Sequence, residues 1–195
     1  MTIDVLEAIH TRRSILQFKS DPIDRQVLTE LFDHAAWAPN HHRKEPWNLN
    51  IYEDNARLTL SEKVVDAYLR HQLITPKTTS QLEKMRRKYD SFFTTAPYHA
   101  LIYMEKEDDG GYLDDENFAA VCAFIQNFQL AAWSKGIGTL WTAKAILRDE
   151  QFIRDLHLDP TKHKLVSVLH IGYPSNVPNA KPRTPLSEKI QWVKN

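Results

Sequence analysis

Arg12, Arg13 and Ser14 place two guanidinium groups and a hydroxyl at consecutive positions. A guanidinium presents its N–H donors as a planar fork that matches phosphate oxygens, so the triplet is a candidate anion grip. Its plainer reading is a helix C-terminus whose cations complement the helix dipole. A second basic cluster, Lys181-Pro182-Arg183-Thr184-Pro185, lies far along the chain on a rigid turn; alone it reads as a solvated tail. The third group is Ala38-Pro39-Asn40-His41-His42-Arg43-Lys44-Glu45-Pro46-Trp47, a loop of donors and cations restricted by its prolines. Together the segments can hold both ends of a planar, phosphorylated molecule. A flavin meets that description, because its reduced form collects negative charge that nearby donors and cations stabilise.

Other chemistries find less support. Adjacent histidines at 41 and 42 do not converge on one ion, and no cysteine or carboxylate stands at ligand spacing, so no metal is expected. The single cysteine, Cys122, lies in an apolar stretch; it is read as buried and inert, and it excludes an intrachain disulfide, which suits a reducing, cytoplasmic setting. The five glycines form neither a G-x-G-x-x-G nor a Walker A sequence, so a phosphate would be held mainly by side chains. Lys plus Arg and Asp plus Glu both number 25, which argues against nucleic acid as a partner. The run Lys84 to Lys88 is read as a solvated helix face. No basic and apolar leader is expected at Met1, and the charge-free run Asn117 to Ser134 is too polar for a membrane span.

The elements that must position these residues follow from periodicity. Asp4 caps a helix to about Arg13, and Asp24 caps a second that Pro39 ends. Trp47 to Tyr52 alternates as a strand. Helices are expected from Asp54 to Leu73 and from Lys77 to Phe93, then a strand from Pro97 to Met104. A long helix from Asp114 or Asp115 runs to Gly136 and is apolar nearly all round, so a second subunit is expected to cover part of it. Gly136 reads as a helix cap, and Gly136 with Gly138 could let the backbone approach a flat ring. A helix from Asp149 to His157 and a strong strand from Lys164 to Tyr173 complete a sheet between helices. The proline-rich tail forms no regular element before about Leu186.

In this order the pieces resemble the nitroreductase family of FMN-dependent oxidoreductases. The resemblance rests on R-R-S at Arg12, A-P-N-H-x-x-x-E-P-W at Ala38, the Gln126-Asn127 helix, G-I-G-T-L-W at Gly136, and the I-G-Y-P and R-x-P-L segments near the end. It is strongest to the short, single-domain branch with His and Glu in the A-P loop. The resemblance implies an α+β fold, a three-layer α-β-α sandwich on a mixed, mainly antiparallel sheet, with residues 1–195 forming one FMN-binding domain. It implies an intertwined homodimer with two FMN sites at the subunit interface. Arg12, Arg13 and Ser14 would meet the FMN phosphate and ribityl chain, and Arg183 would close on the phosphate. Trp37 and His41 would approach the flavin, and Trp141 and Thr142 would lie by the ring. Leu16 stands where many members carry Arg, so one phosphate or ribityl contact is either missing or supplied by Gln17 or Lys19. The implied reaction is ping-pong hydride transfer from NADH or NADPH through FMN to a nitroaromatic or quinone-type acceptor, with His41 as proton donor or electrostatic stabiliser. Tyr68, Tyr89, Phe92 and Phe93 would select that acceptor, or simply pack a core. A flavin storage or sensing protein, or another flavin reaction such as reductive dehalogenation, stays open as an alternative.

Overall fold

The computed structural model describes residues 4–107 and 111–194. Asp4 accepts the Glu7 amide at 2.9 Å and starts α1 (Val5–Thr11); Asp24 accepts the Gln26 amide at 2.7 Å and starts α2 (Arg25–Ala35). Each carboxylate satisfies an amide that the helix leaves unpaired. α1 ends two residues before the expected Arg13, so Arg12 (φ −54°, ψ 136°) to Ser14 follow it in non-helical backbone.

The remaining elements are β1 (Asn48–Tyr52), α3 (Ala56–Arg70), α4 (Thr79–Thr95), β2 (Tyr98–Glu105), α5 (Tyr112–Ser134), β3 (Gly138–Thr142), α6 (Glu150–Asp155) and β4 (His163–Gly172). α3 begins after Asp54, because Asp54 sits at φ +48° and so cannot serve as its first residue. α4 is capped at Thr78, whose hydroxyl accepts the Gln81 amide at 3.2 Å while the Gln81 side chain accepts the Lys77 amide at 2.7 Å. β3 is a strand that periodicity did not assign. Its five residues begin with glycine and are too few to show alternation.

The strands lie in the order β1-β2-β4-β3, and every neighbouring pair is antiparallel. The parallel component of the mixed sheet expected above reduces to one isolated bridge between Ser14 and Thr139. On one face Leu28 and Leu31 of α2 and Phe124, Ile125 and Phe128 of α5 pack on Ala100, Ile102, Leu169 and Ile171. On the other face α3 and α6, with Phe93 of α4, pack on Leu101, Leu165 and Val168. The chain is thus an α+β sandwich of three layers, with both faces of the sheet removed from water.

α5 buries one stripe in the first core, while Tyr112 stays 65% and Phe118 39% exposed. α1, which packs beside α5, leaves Val5, Leu6 and Ile9 exposed. No helix among the described residues is long and apolar enough to cross a membrane.

Candidate functional site

The segment after α1 is built onto the edge of the sheet. Ile15 donates its amide to Thr139 at 2.9 Å, Lys19 donates to Tyr173 at 2.8 Å, and Ser175 donates to Gln17 at 3.0 Å. Ile15 and Phe18 point inward while Ser14 and Leu16 stay exposed. Two glycines admit this approach. A Cβ on Gly138 would meet Ile15 Cγ1 at 2.6 Å and Pro174 Cγ at 2.8 Å, and one on Gly172 would meet Phe18 Cδ1 at 2.9 Å. Gly138 therefore serves packing of the arginine segment rather than the approach of a flat ring. Gly136 (φ +72°) ends α5, as its cap reading requires.

The arginines then fall into place. Burial lowers the pKa of Arg12, and the nearby charges of Arg13 and Arg183 lower it further. The distant tail thus brings the charge of Arg183 within electrostatic range of Arg12. Part of the plainer reading also holds, since Arg13 donates to the carbonyls of His10 at 2.9 Å and Arg12 at 2.7 Å. Among the described residues no ion pair involves Arg12, Arg13 or Arg183. Three like charges held together without a carboxylate favour an anion.

The segment that follows the arginines reaches a cavity of ≈ 410 Å³ through Leu16, while the arginines themselves are not among its lining residues. Leu16, Leu140 and Thr142 line it on the β3 side; Tyr68, Tyr89 and Phe92 line it from α3 and α4. The packing reading holds for Tyr68 and Phe93, which are core residues, and both also face the cavity. Burial, with Tyr89 nearby, pushes the Tyr68 phenol up to about 12, so it stays protonated at neutral pH. Lys144 Nζ sits 5.4 Å from the Tyr68 ring centre. Leu16, at the position of the absent arginine, supplies apolar wall. Trp141 does not reach the cavity. Strand alternation turns it to the α5 face, while Thr142 faces the cavity. Lys88, the end of the basic run read as solvated, also lines the wall. A larger hollow of ≈ 640 Å³, which shares Lys144 and Leu147 with the first, holds Lys106 and Lys164, engaged by the Pro160 carbonyl and by Asp114.

Sequence reasoning missed Leu140, Lys144 and His170. The available signal for His170 was a lone imidazole inside the apolar run Leu165 to Ile171.

The histidine loop lies elsewhere. His41–Arg43 form a single tight turn, and His42, Arg43 and Glu45 take φ of 51°, 55° and 49°. Non-glycine residues in that region carry backbone strain. Asn40 braces the turn by accepting the Glu45 amide at 2.9 Å. His41 is exposed, its ring 4.0 Å from that of His42, and Trp37 is 87% exposed. Lys44 pairs with Glu107, which also accepts from Asn117 near the start of α5. Thr11, beside the arginines, accepts from Trp133 at the other end of that helix. Asn117 and Trp133 are sixteen residues apart, about 24 Å along a helix. One chain therefore keeps the loop of His41 towards the start of α5 and the segment of Arg12, Arg13 and Ser14 towards its end. Cys122 is half-buried rather than buried, and burial raises its thiol pKa.

Comparison with known proteins agrees with this architecture. YfhC of Bacillus subtilis (strain 168), an NAD(P)H nitroreductase by name, is 31% identical over 187 residues, 94% of this chain and 91% of its own. The crystal structure of a nitroreductase-like family protein from Bacillus cereus superposes with a TM-score of 0.88 at 31% identity, over 100% of this chain and 98% of its own. The FMN- and NADPH-dependent nitroreductase NfnB from Sphigopyxis sp. strain HMH shares the fold, with a TM-score of 0.78 at 18% identity over 99% and 100%. The family model described as Nitroreductase family matches residues 9–173, most of the chain, and the protein belongs to that family.

Proposed function

We propose that the protein is an FMN-dependent oxidoreductase that takes hydride from NADH or NADPH and passes electrons to nitroaromatic or quinone-type acceptors in a ping-pong cycle. The observation that carries this reading is the group Arg12, Arg13 and Arg183, without an ion pair among the described residues, on a segment whose Leu16 lines an apolar, aromatic-walled cavity. That pairing of a dianion grip with a slot for flat rings fits both ends of FMN. The family, and the nitroreductase name of YfhC, support it. Bound there, FMN supplies the hydride chemistry, while the chain supplies binding, orientation and a dry wall.

Arg12, Arg13, Ser14 and Arg183 hold the phosphate and ribityl chain, with Thr142 beside the ring. Trp141 supports β3 from behind. Trp37 and His41 complete the site from a second copy, because about 24 Å of α5 separates the His41 loop from the arginines of its own chain. The exposed apolar residues of α1 and α5, together with Trp37 and Trp192, are the surface such a homodimer would cover. His41 from that copy acts as proton donor or electrostatic stabiliser. Residues 1–195 then form a single FMN-binding domain, working in the cytoplasm on small-molecule acceptors without nucleic acid or membrane.

An anaerobic visible spectrum of FMN-reconstituted, desalted protein tests the reading. A flavin band that NADPH or NADH bleaches and a quinone restores supports it. Bound flavin that neither donor bleaches points to storage or sensing. Protein that emerges without flavin removes the phosphate assignment.

A further inference from the structure

Two buried histidines face each other on neighbouring strands, and the reading above gives neither a role. His99 of β2 and His170 of β4 are register partners, 0% and 3% exposed, with their Nδ1 atoms 2.8 Å apart. Hydrogen-bond chemistry determines where the protons sit. His99 Nε2 lies 2.7 Å from the Phe93 carbonyl oxygen, which can only accept, so Nε2 carries a hydrogen. Burial pushes the pKa of His99 down to about 4 and that of His170 well below its usual value, so both rings are neutral at pH 7. His99 Nδ1 is then the acceptor and His170 Nδ1 the donor. That leaves His170 Nε2 with a bare lone pair.

Among the described residues no group donates a hydrogen to that lone pair. Thr142 Oγ1 stands 3.4 Å away, but it donates its one hydrogen to the Val168 carbonyl at 2.7 Å. Phe92 and Phe93 hold the imidazole edge-on, with centroids 4.9 and 5.3 Å away. His170 lines the ≈ 410 Å³ cavity. An oriented, unspent acceptor in an apolar wall selects a ligand with an N–H or O–H at that point.

An oxidised flavin ring has one such group, the imide N–H between two carbonyls. The segment holding Arg12 meets β3 at Thr139, and Thr142 lies three residues on, about 10 Å at the strand rise. A phosphate held by this segment would put the far edge of the ring towards Thr142 and His170. Lys88 and Lys144 line the same wall and can donate to the flanking carbonyls. We propose, resting on the FMN reading, that His170 accepts the imide N–H of the flavin and that His99 is the positioning residue that holds it in the accepting tautomer.

The test compares FMN with N3-methyl-FMN, which cannot donate, by quenching of flavin fluorescence. The protein should bind FMN about tenfold or more tightly than the methylated form. His170→Gln, which keeps an acceptor, should retain the preference; His170→Phe and His99→Phe should bring the ratio towards one. Equal affinities in the unchanged protein, or a ratio unaltered in folded His170→Phe, overturn the assignment and leave the FMN reading standing. Failure to bind either flavin overturns the FMN reading and this assignment with it. A second measurement needs no variant. In 15N-histidine-labelled protein the His170 Nε2 resonance should move upfield on adding FMN and not on adding N3-methyl-FMN. A resonance that FMN leaves in place overturns the assignment.

Discussion

The arginine segment and the histidine loop carry similar residues and are held in opposite ways. Residues 14–19 are stitched to β3 and to Tyr173–Ser175 by backbone hydrogen bonds, and their inward side chains fill space that Gly138 and Gly172 leave open. The loop at 40–45 stands exposed, with three residues in left-handed backbone and one ion pair at Lys44. Binding precision comes from rigid support, so the first region is built as a preformed half-site would be. The second is strained and open, the state of a surface that awaits a partner. On the proposed reading the two regions divide the labour: the first would grip the cofactor, and the second would complete the site from another copy.

Acid should break the comparison most deeply, through the floor of the cavity. The folded chain depresses His99 from 6.5 to about 4 by burial, with Arg57 adding to the effect. The unfolded chain thus binds more protons between those values, and stability rises with pH across that window. The contribution is present above pH 6.5 and is lost as pH falls through about 4. It amounts to roughly 3 kcal/mol for His99, and His170 acts in the same direction. Thermal melts from pH 7.5 to 4 should fall steeply, and the fall should lessen in His99→Phe. A flat profile would show that the pair is not held neutral.

Gly138→Ala tests the rigid half directly. Its Cβ would enter contacts of 2.6 and 2.8 Å with Ile15 and Pro174, so urea denaturation should show a loss of about 1–3 kcal/mol, with weaker FMN binding. Unchanged stability would mean that the segment can shift freely.

Arg12→Ala should raise the FMN dissociation constant about tenfold to a hundredfold, the scale of a charged hydrogen bond to phosphate, and Arg183→Ala somewhat less. Fluorescence titration reads both. Loss of binding in neither variant would dissociate the cluster from the phosphate.

His41→Ala sharpens the other side of the comparison. It should slow turnover several-fold while FMN affinity barely moves, as stopped-flow and equilibrium titration would record. Unchanged kinetics would remove His41 from the reaction. The division also requires a dimer, so sedimentation showing only monomer at micromolar concentration would end the account of a shared site.

Much of the fold was legible because helix and strand signals are local. Asp4 and Asp24 cap as their chemistry dictates, and the alternation of residues 48–52 and the apolar run of 163–172 become strands. β3 was not legible, since five residues led by glycine carry no period of their own and gain strand form only by pairing with β4. Trp141 and Thr142 show the same limit. Adjacent in sequence, they look equally suited to a ring, yet the pleat sends them to opposite faces.

By itself the chain's sequence determined which chemistry was available: forked cations for a phosphate, an aromatic set for a flat ring, no glycine-rich phosphate loop and no intrachain disulfide. These follow from residue types and near-neighbour spacing, which folding does not alter. Only the tertiary structure decided which residues meet. It returned Arg183 to Arg12 across most of the chain, kept His41 a helix length away, and set His170 against His99. The physical reason is that such contacts depend on sheet order, register and pleat, properties of strands in pairs that no single segment carries.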